Sequence, residues 1–490
     1  MKETEQVETG ETAAPPRRSR VSQTRRQRVV VIEKDDQAAE RHLSPLERHR
    51  AGKALRDKVP RESHAEWKPR SDRPDPIDLL IASDKGRLPE LVPIRHSRML
   101  TSPFAFLRGS ALIMADDLSQ TPVSGIRVQA CGDCHLLNFG AFATPERNMI
   151  FDINDFDETL PAPWEWDLKR LVASIVVAGR YVDLKEGDSL RAATAAARSY
   201  RRAMARFANM RVLEVWYDHL DLEEALATLP KALQKRARMR VEKARARATV
   251  EHEFPKLVSR NGGQPRIKDA PPLIFHPQGQ RSKEGRETAH AALQMYRDSL
   301  PEHLKVLADR FELYDFAIKV VGVGSVGTTC QIALLMASNR DPLFMQIKQA
   351  NASVLEPYAG ASIYPNHGER VVVGQRMMQA ASDMLLGWWI NTSSGHHFYA
   401  RQLRDMKLTP NIESMDAEVL RIYAKWCGST LAKAHARTGD AAMISGYLGN
   451  SPVFDDAMEQ FASGYADQTQ SDHRAMRKAV RDGRLEVASE

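Results

Sequence analysis

The segment Gly132-Asp133-Cys134-His135-Leu136-Leu137-Asn138 sets an aspartate five positions before an asparagine. That spacing serves phosphotransfer, with the carboxylate at the acceptor hydroxyl and the amide on a metal ion. Asp133 is therefore the candidate catalytic residue and Asn138 a candidate metal ligand. A second cluster, Phe151-Asp152-Ile153-Asn154-Asp155-Phe156-Asp157, follows a β-prone stretch. Its hard carboxylate oxygens suit Mg²⁺ held against phosphate; Asp155 is the candidate ligand and Asp152 its rival. A third, Gly322-x-Gly324-x-x-Gly327, lacks the β-carbons that would keep backbone N–H groups away from a phosphate. The residues after it are β-prone and lead to Lys348, so the glycines belong to a hairpin with a lysine on the following strand. A dinucleotide fold would need a helix there. Lys348 is expected to neutralise the non-transferred phosphates, with Glu356 holding its ammonium.

Each motif has a plainer reading. The Asp-rich segment alone is an acidic turn with Asx hydrogen bonds, the glycines alone a β-turn, and Lys348 alone a surface lysine. Cys131-x-x-Cys134-His135 also fits covalent haem attachment, which belongs to exported chains, and it offers zinc one cysteine pair without a second. Arg108, between Phe106 and Gly109, either neutralises phosphate or caps helix carbonyls. The joint appearance of the motifs favours nucleotide binding.

These motifs need elements to hold them. Arg127–Ala130 and Met149–Ile153 read as short strands around loops rich in Asp, Asn and Gly. An apolar run from Ser102 to Leu118 reads as a buried helix, and residues 167–250 as long helices. Within the latter, Lys231–Arg247 carries eight Lys/Arg and one Glu, a solvated face without the interleaved aromatics of an RNA stripe. From Tyr314, strand-like segments ending in GERVVVGQRMMQ and HHFYARQLRD suggest an antiparallel meander. Residues 415–437 form an amphipathic helix and the last fifty a charged helical tail.

The 490 residues suffice for two or three domains, and 42% apolar with 27% charged residues excludes collagen-like and wholly disordered chains. A net charge of +7 is too dilute to argue for nucleic acid, which is not expected as a partner. Four scattered cysteines fit a reducing compartment, and the acidic N-terminus lacks the form of a signal peptide. The uncharged stretch between Lys319 and Arg340 is too rich in Gly, Ser and Thr for a membrane span. A cytoplasmic protein is expected. The domain reading is a polar tail (1–43), an N-terminal helical extension (44–126), a catalytic-loop and helical lobe (127–313), a β-rich lobe (314–412), and C-terminal helices completing the helical lobe (413–490).

GDCHLLNFG followed by NDFDETLPAPWEWDL resembles the catalytic and metal-binding segments of aminoglycoside and choline kinases, in the protein-kinase-like superfamily. The resemblance implies Asp133 as the catalytic Asp, Asn138 and Asp155 as metal ligands, and Asp167 as a structural brace. The stretches RMLTSPFAFLRG and VVVGQRMMQAASDMLLGWW, with much of residues 45–460, resemble a bacterial domain of unknown function, number 2252. In ordinary kinases the glycine loop and lysine precede the catalytic loop; here they follow it. LAKAHARTGD (431–440) resembles the kinase helix that runs into the catalytic loop, so a circular permutation with its break between that helix and Arg127 accounts for the order. The resulting expectation is an α+β, protein-kinase-like two-lobe fold, helical lobe first and antiparallel β lobe with a Gly-rich hairpin second. ATP and Mg²⁺ would be its cofactors and a small hydroxylated molecule its acceptor. A catalytically silent nucleotide-binding scaffold and an AMP-transferring enzyme are the alternatives.

Overall fold

A computed structural model describes residues 43–247, 254, 257–261, 264–276, 279, 282–338, 341–403 and 406–488. The polar tail, with its Val29–Ile32 run, lies outside them apart from Leu43. From Ser44 onward the chain forms one compact unit of mixed α+β structure with antiparallel sheets. Five helices come first: α1 (Pro45–Ala54), α2 (Pro76–Ser83), α3 (Val92–Leu100), α4 (Pro103–Gly109) and α5 (Ala111–Ser119). Their starts follow local chemistry. Ser44 and Glu47 make a capping box on α1, Asp75 accepts from the Ile77 amide, and Ser102 accepts from the Ala105 amide, each relieving orphan N–H groups. The expected buried helix over 102–118 is thus two helices that meet at Ser110.

Two small antiparallel ladders then bring two loops together. Strand β1 (Arg127–Ala130) leads through loop 131–138 to β2 (Phe139–Ala143), and β3 (Met149–Ile153) leads through loop 154–159 to β4 (Leu160–Pro163). Because β1 pairs with β4 and β2 with β3, the two loops lie side by side. The amide of Asn154 donates to the carbonyl of Asn138 at 2.8 Å, closing the seam.

Helices α6 (Trp164–Tyr181) and α7 (Glu186–Phe207) support these loops from below. There follow α8 (Val212–Tyr217), the short strand β5 (Leu220–Asp221) beside β3, α9 (Leu222–Ala227) and the basic α10 (Lys231–Arg247). Strands β6 (Val258–Asn261) and β7 (Gln264–Ile267) form a separate ladder.

The main sheet contains β8 (Ile274–Phe275), β9 (Glu312–Lys319), β10 (Cys330–Ser338), β11 (Asp341–Ala350), β12 (Gly387–Ile390) and β13 (His397–Gln402), in the order β12-β13-β11-β10-β9-β8. Alternation sorts its side chains onto two faces. Lys348 stands opposite Cys330 and Tyr399, and Gln346 opposite Arg401, on the face toward the loops. Met345, Phe398 and Ala400 point the other way, into an apolar cluster with Tyr296 of α11 (Lys283–Ser299), Leu300 just after it, and the following α12 (Glu302–Ala308). Between β11 and β12 lie α13 (Glu356–Ala359) and α14 (His367–Met378). GERVVVGQRMMQ is therefore a helix, contrary to the strand expected. The Asn366 side chain accepts from the Gly368 and Glu369 amides, and this cap with the burial of Val371, Val372, Gln375 and Met378 on one side outweighs the local β-propensity of three consecutive valines.

The chain ends in α15 (Ala417–Thr438), α16 (Ala441–Leu448) and α17 (Val453–Arg481). These are core elements and not a tail. Gly428 of α15 meets the backbone of Ala196 on α7, so the helices approach closer than any side chain would permit. Trp164, fully buried, stacks on Tyr200 with ring centroids 5.5 Å apart in the same core. Burying a side chain of that size contributes roughly 2–3 kcal/mol. Among the described residues no helix is long and apolar enough to cross a membrane.

Candidate active site

The loop 131–138 is built around its backbone. Gly132 has φ +84° and its α-carbon faces the Glu158 backbone, so only glycine fits there. The Asp167 carboxylate, in the first turn of α6, accepts from the Cys131 amide at 2.6 Å and the Gly132 amide at 2.9 Å. His435 Nε2 of α15 lies 3.1 Å from the same carboxylate, and His435 Nδ1 is 2.8 Å from the Tyr200 hydroxyl. Asp167 thus braces the loop. Asn138 Nδ2 donates to the Asp133 carbonyl at 2.6 Å, fixing the amide within the loop.

Asp133 itself is held by α6. Arg170 Nε and Nη2 lie 2.6 and 2.5 Å from Oδ1, while the Asp133 side chain keeps 23% exposure. His135 Nε2 stands 3.9 Å from Oδ2, and burial pushes the His135 imidazole down to about 4, so it is neutral near pH 7.

The second loop meets the sheet through Lys348. Its Nζ donates to Asp155 Oδ1 at 3.0 Å and to Asp157 Oδ2 at 2.6 Å, and the lysine side chain is 5% exposed against 34% and 31% for its partners. Tyr399 donates its hydroxyl to Asp157 Oδ1 at 2.5 Å. Burial alone would raise the Asp155 carboxyl, but Lys348 and then Arg401 hold it well below the usual carboxylate range. Burial would likewise lower Lys348, and Asp155 and Asp157 instead hold it well above its ordinary value. Glu158 differs: burial pushes it up to about 7, against Arg370 and the Val354 amide that donates to Oε2.

The structure redistributes several expected roles. Asp152 is fully buried: Oδ1 accepts from the Ile153 amide, and Oδ2 takes the Ala380 amide and the Lys433 ammonium. It lies on β3 with both oxygens taken by these protein donors, whereas Asp155 stands in the loop beyond the strand. Glu356 does not hold Lys348. It opens α13, where its carboxylate accepts from the Ser353 amide at 3.3 Å and stands 3.7 Å from His367 Nδ1. The lysine is held by Asp155 and Asp157, and sequence reasoning missed the second although Asn154-Asp-Phe-Asp157 carries two carboxylates two positions apart. On α14 the residue turned to the site is Arg370, donating to the carbonyls of Thr159, Asp157 and Asn351.

The glycine loop joins β9 to β10. Gly322 and Gly327 have φ of +71° and +89°, and a β-carbon on Gly324 would stand 3.0 Å from the Arg108 carbonyl. Arg98 donates to the Gly322 carbonyl, Arg87 to those of Gly324 and Val326, and the Leu88 amide to Gly327. The N-terminal extension therefore clamps the loop. A cavity of about 350 Å³ is lined by Asn154, Gln346, Gln375, Gln379 and Arg401 together with Asp383 and apolar residues that include Phe142, Phe311, Leu343 and Leu385.

Hard oxygen donors suitable for Mg²⁺ are present. Asp155 Oδ2 and Asn138 Oδ1 have no hydrogen bond among the described residues, whereas no three of His, Cys, Asp and Glu there converge as a ready-made metal cage. All four cysteines are free thiols, and Cys131 donates to the Asp155 carbonyl at 3.3 Å.

Comparison with known proteins gives one match. The model of a family described as uncharacterised proteins conserved in bacteria, DUF2252, covers residues 87–479. No curated protein and no solved structure matches the chain.

Proposed function

The chain belongs to the bacterial family DUF2252, and from that premise we propose that it is an ATP- and Mg²⁺-dependent phosphotransferase with a kinase-like site in permuted chain order. The observation that carries this reading is the contact of Lys348 with Asp155 and Asp157 beside the Asp133–Asn138 loop, across 193 and 191 residues of sequence. A strand–glycine loop–strand–lysine strand order, with a helix after the lysine, is the arrangement that the kinase resemblance implies for a nucleotide lobe. The permutation has its own support. The end of α15 abuts β1, where Thr438 Oγ1 accepts from the Gln129 amide at 3.1 Å and Gly439 packs against Val128. Asp157, with Asp155, takes the neutralising place expected of Glu356.

In this reading the acceptor hydroxyl oxygen attacks the terminal phosphorus, the bond to the β-phosphate oxygen breaks, ADP leaves, and the hydroxyl proton passes to Asp133. Arg170 keeps Asp133 oriented through Oδ1, leaving Oδ2 for the acceptor. Lys348 transfers part of its contact from the two carboxylates to the nucleotide phosphates. Asp155 and Asn138 would hold Mg²⁺, which supplies charge neutralisation on the phosphates when bound. The cavity walled by Phe311, Leu343, Gln346 and Arg401 is the region for the base.

One observation favours the silent-scaffold alternative: Arg170 already engages half of the Asp133 carboxylate. Melting and calorimetry with Mg·ATP, followed by ATP consumption against a metabolite extract, separate the two. Binding with turnover supports the enzyme. Binding without turnover under any acceptor supports the scaffold, and absence of binding overturns both.

A further inference from the structure

The cleft is ringed by arginines, and all but one are committed to acceptors. Arg87 and Arg98 hold glycine-loop carbonyls, Arg170 holds Asp133 and the Leu107 carbonyl, Arg370 holds three carbonyls, and Arg401 donates to the Asn154 carbonyl and to Gln346. Arg108 is different. Among the described residues its guanidinium makes no hydrogen bond or ion pair, and its Nε is shielded from solvent without an acceptor. It caps no helix carbonyl.

Its position is tied from both sides. The preceding carbonyl, Leu107 O, receives Arg170 Nη2 at 2.9 Å, and the same guanidinium grips Asp133. Its own carbonyl lies against Gly324, near enough that a β-carbon there would come within 3.0 Å. Arg108 therefore stands between the Asp133 loop and the glycine loop, and the carboxylate whose field reaches it is Asp133. A shielded N–H without an acceptor is costly, and a guanidinium fork matches phosphate oxygens in pairs.

We propose that Arg108, supplied by the N-terminal extension, is a phosphate-binding residue that grips the terminal phosphoryl group of the nucleotide between Gly324 and Asp133. This rests on the nucleotide-binding reading above. The extension would then be part of the site and not a decoration on it.

The test measures binding of inorganic tripolyphosphate, Mg·ATP and adenosine by calorimetry to the full chain, to Arg108→Ala and to Arg108→Lys. Tripolyphosphate and Mg·ATP should weaken about tenfold or more in Arg108→Ala, with partial recovery in Arg108→Lys and adenosine unchanged. The melting temperature without ligand should stay near that of the wild type, because the guanidinium has no protein bond to lose. Unchanged affinity in Arg108→Ala, with wild type binding normally, overturns the role of Arg108 and spares the nucleotide reading. A marked drop in unliganded stability identifies a structural arginine and overturns it as well. Wild type that binds neither Mg·ATP nor tripolyphosphate overturns both.

Discussion

Arg170, buried on α6, donates through Nε to Asp133 Oδ1 at 2.6 Å, so the carboxylate proposed to face the acceptor is oriented by a guanidinium 37 residues further along the chain. Asp133→Asn should therefore lower turnover by about 10²–10⁴-fold while leaving Mg·ATP affinity within about twofold. Asp155→Asn should damage both, because its carboxylate is proposed to hold the metal that binds the ground-state phosphates. Calorimetry beside ATP consumption checks the pair, and normal turnover in Asp133→Asn would remove it from the catalytic role.

Lys348→Met removes the cation shared by Asp155 and Asp157. A buried pair broken on one side costs about 3–5 kcal/mol; both acids retain solvent contact, so about 2–3 kcal/mol is expected near neutral pH. The sign with pH follows from Asp155. Its depressed native value stabilises the wild type above the ordinary carboxylate range, and that contribution is lost as pH falls through the native value. The deficit of Lys348→Met should thus shrink between near-neutral pH and about pH 3, below the ordinary carboxylate value. Urea unfolding at the two pH values measures it, and a pH-independent deficit would contradict the ion-pair account.

Glu158 predicts the opposite slope. Arg370, Asp157, Asp133 and Arg87 surround it, and burial raises it from 4.5 to about 7. Its protonation stabilises the fold fully below the ordinary carboxylate value, and this is lost as pH rises through about 7. Glu158→Gln should consequently flatten the dependence of melting temperature on pH across that window and melt higher than wild type at about pH 8. An unchanged profile would show that Glu158 does not titrate there.

Gly428→Val should destabilise the chain by about 3 kcal/mol, because the added side chain collides with the Ala196 backbone where α15 crosses α7. Denaturant unfolding should show the loss in its midpoint, and a change below about 0.5 kcal/mol would mean that the helices are free to separate.

Cys131→Ala with Cys134→Ala should leave the protein without any lost metal or chromophore. Both thiols are buried, and the loop is held by Asp167 and Asn138. Metal analysis and an absorption spectrum decide it; stoichiometric zinc or a haem band in wild type, absent from the variant, would reverse this assignment.

Local chemistry that depends on neighbours in sequence was legible. Arg127–Ala130 and Met149–Ile153 are strands with the bounds that β-propensity indicates, and Lys231–Arg247 and residues 415–437 are helical. Val371–Val373 misled because β-branched propensity was weighed without the equally local Asn366 cap, and because burial of the helix against the sheet is tertiary. The juxtaposition of the Asp155 loop with Lys348 was expected from motif order, but the choice of Asp157 over Glu356 as the acidic partner depended on how β11 and β13 present Lys348 and Tyr399 on one face. Arg170 and Arg370 gave no sequence signal, since buried arginines that serve carbonyls and carboxylates look like any other helical arginine before the helices are packed.

The long interval between Asp155 and Lys348 has a consequence during synthesis. At about 5–20 residues per second the acidic loop leaves the ribosome roughly 10–40 seconds before its lysine does. Over that interval Asp155 and Asp157 are two like charges on a nascent chain without their counter-ion, and α15 and α17, which pack on α6 and α7, are also still unmade. The site is therefore among the last features to form, and a chain released before Lys348 carries the Asp133 and Asp155 loops with nothing to close them.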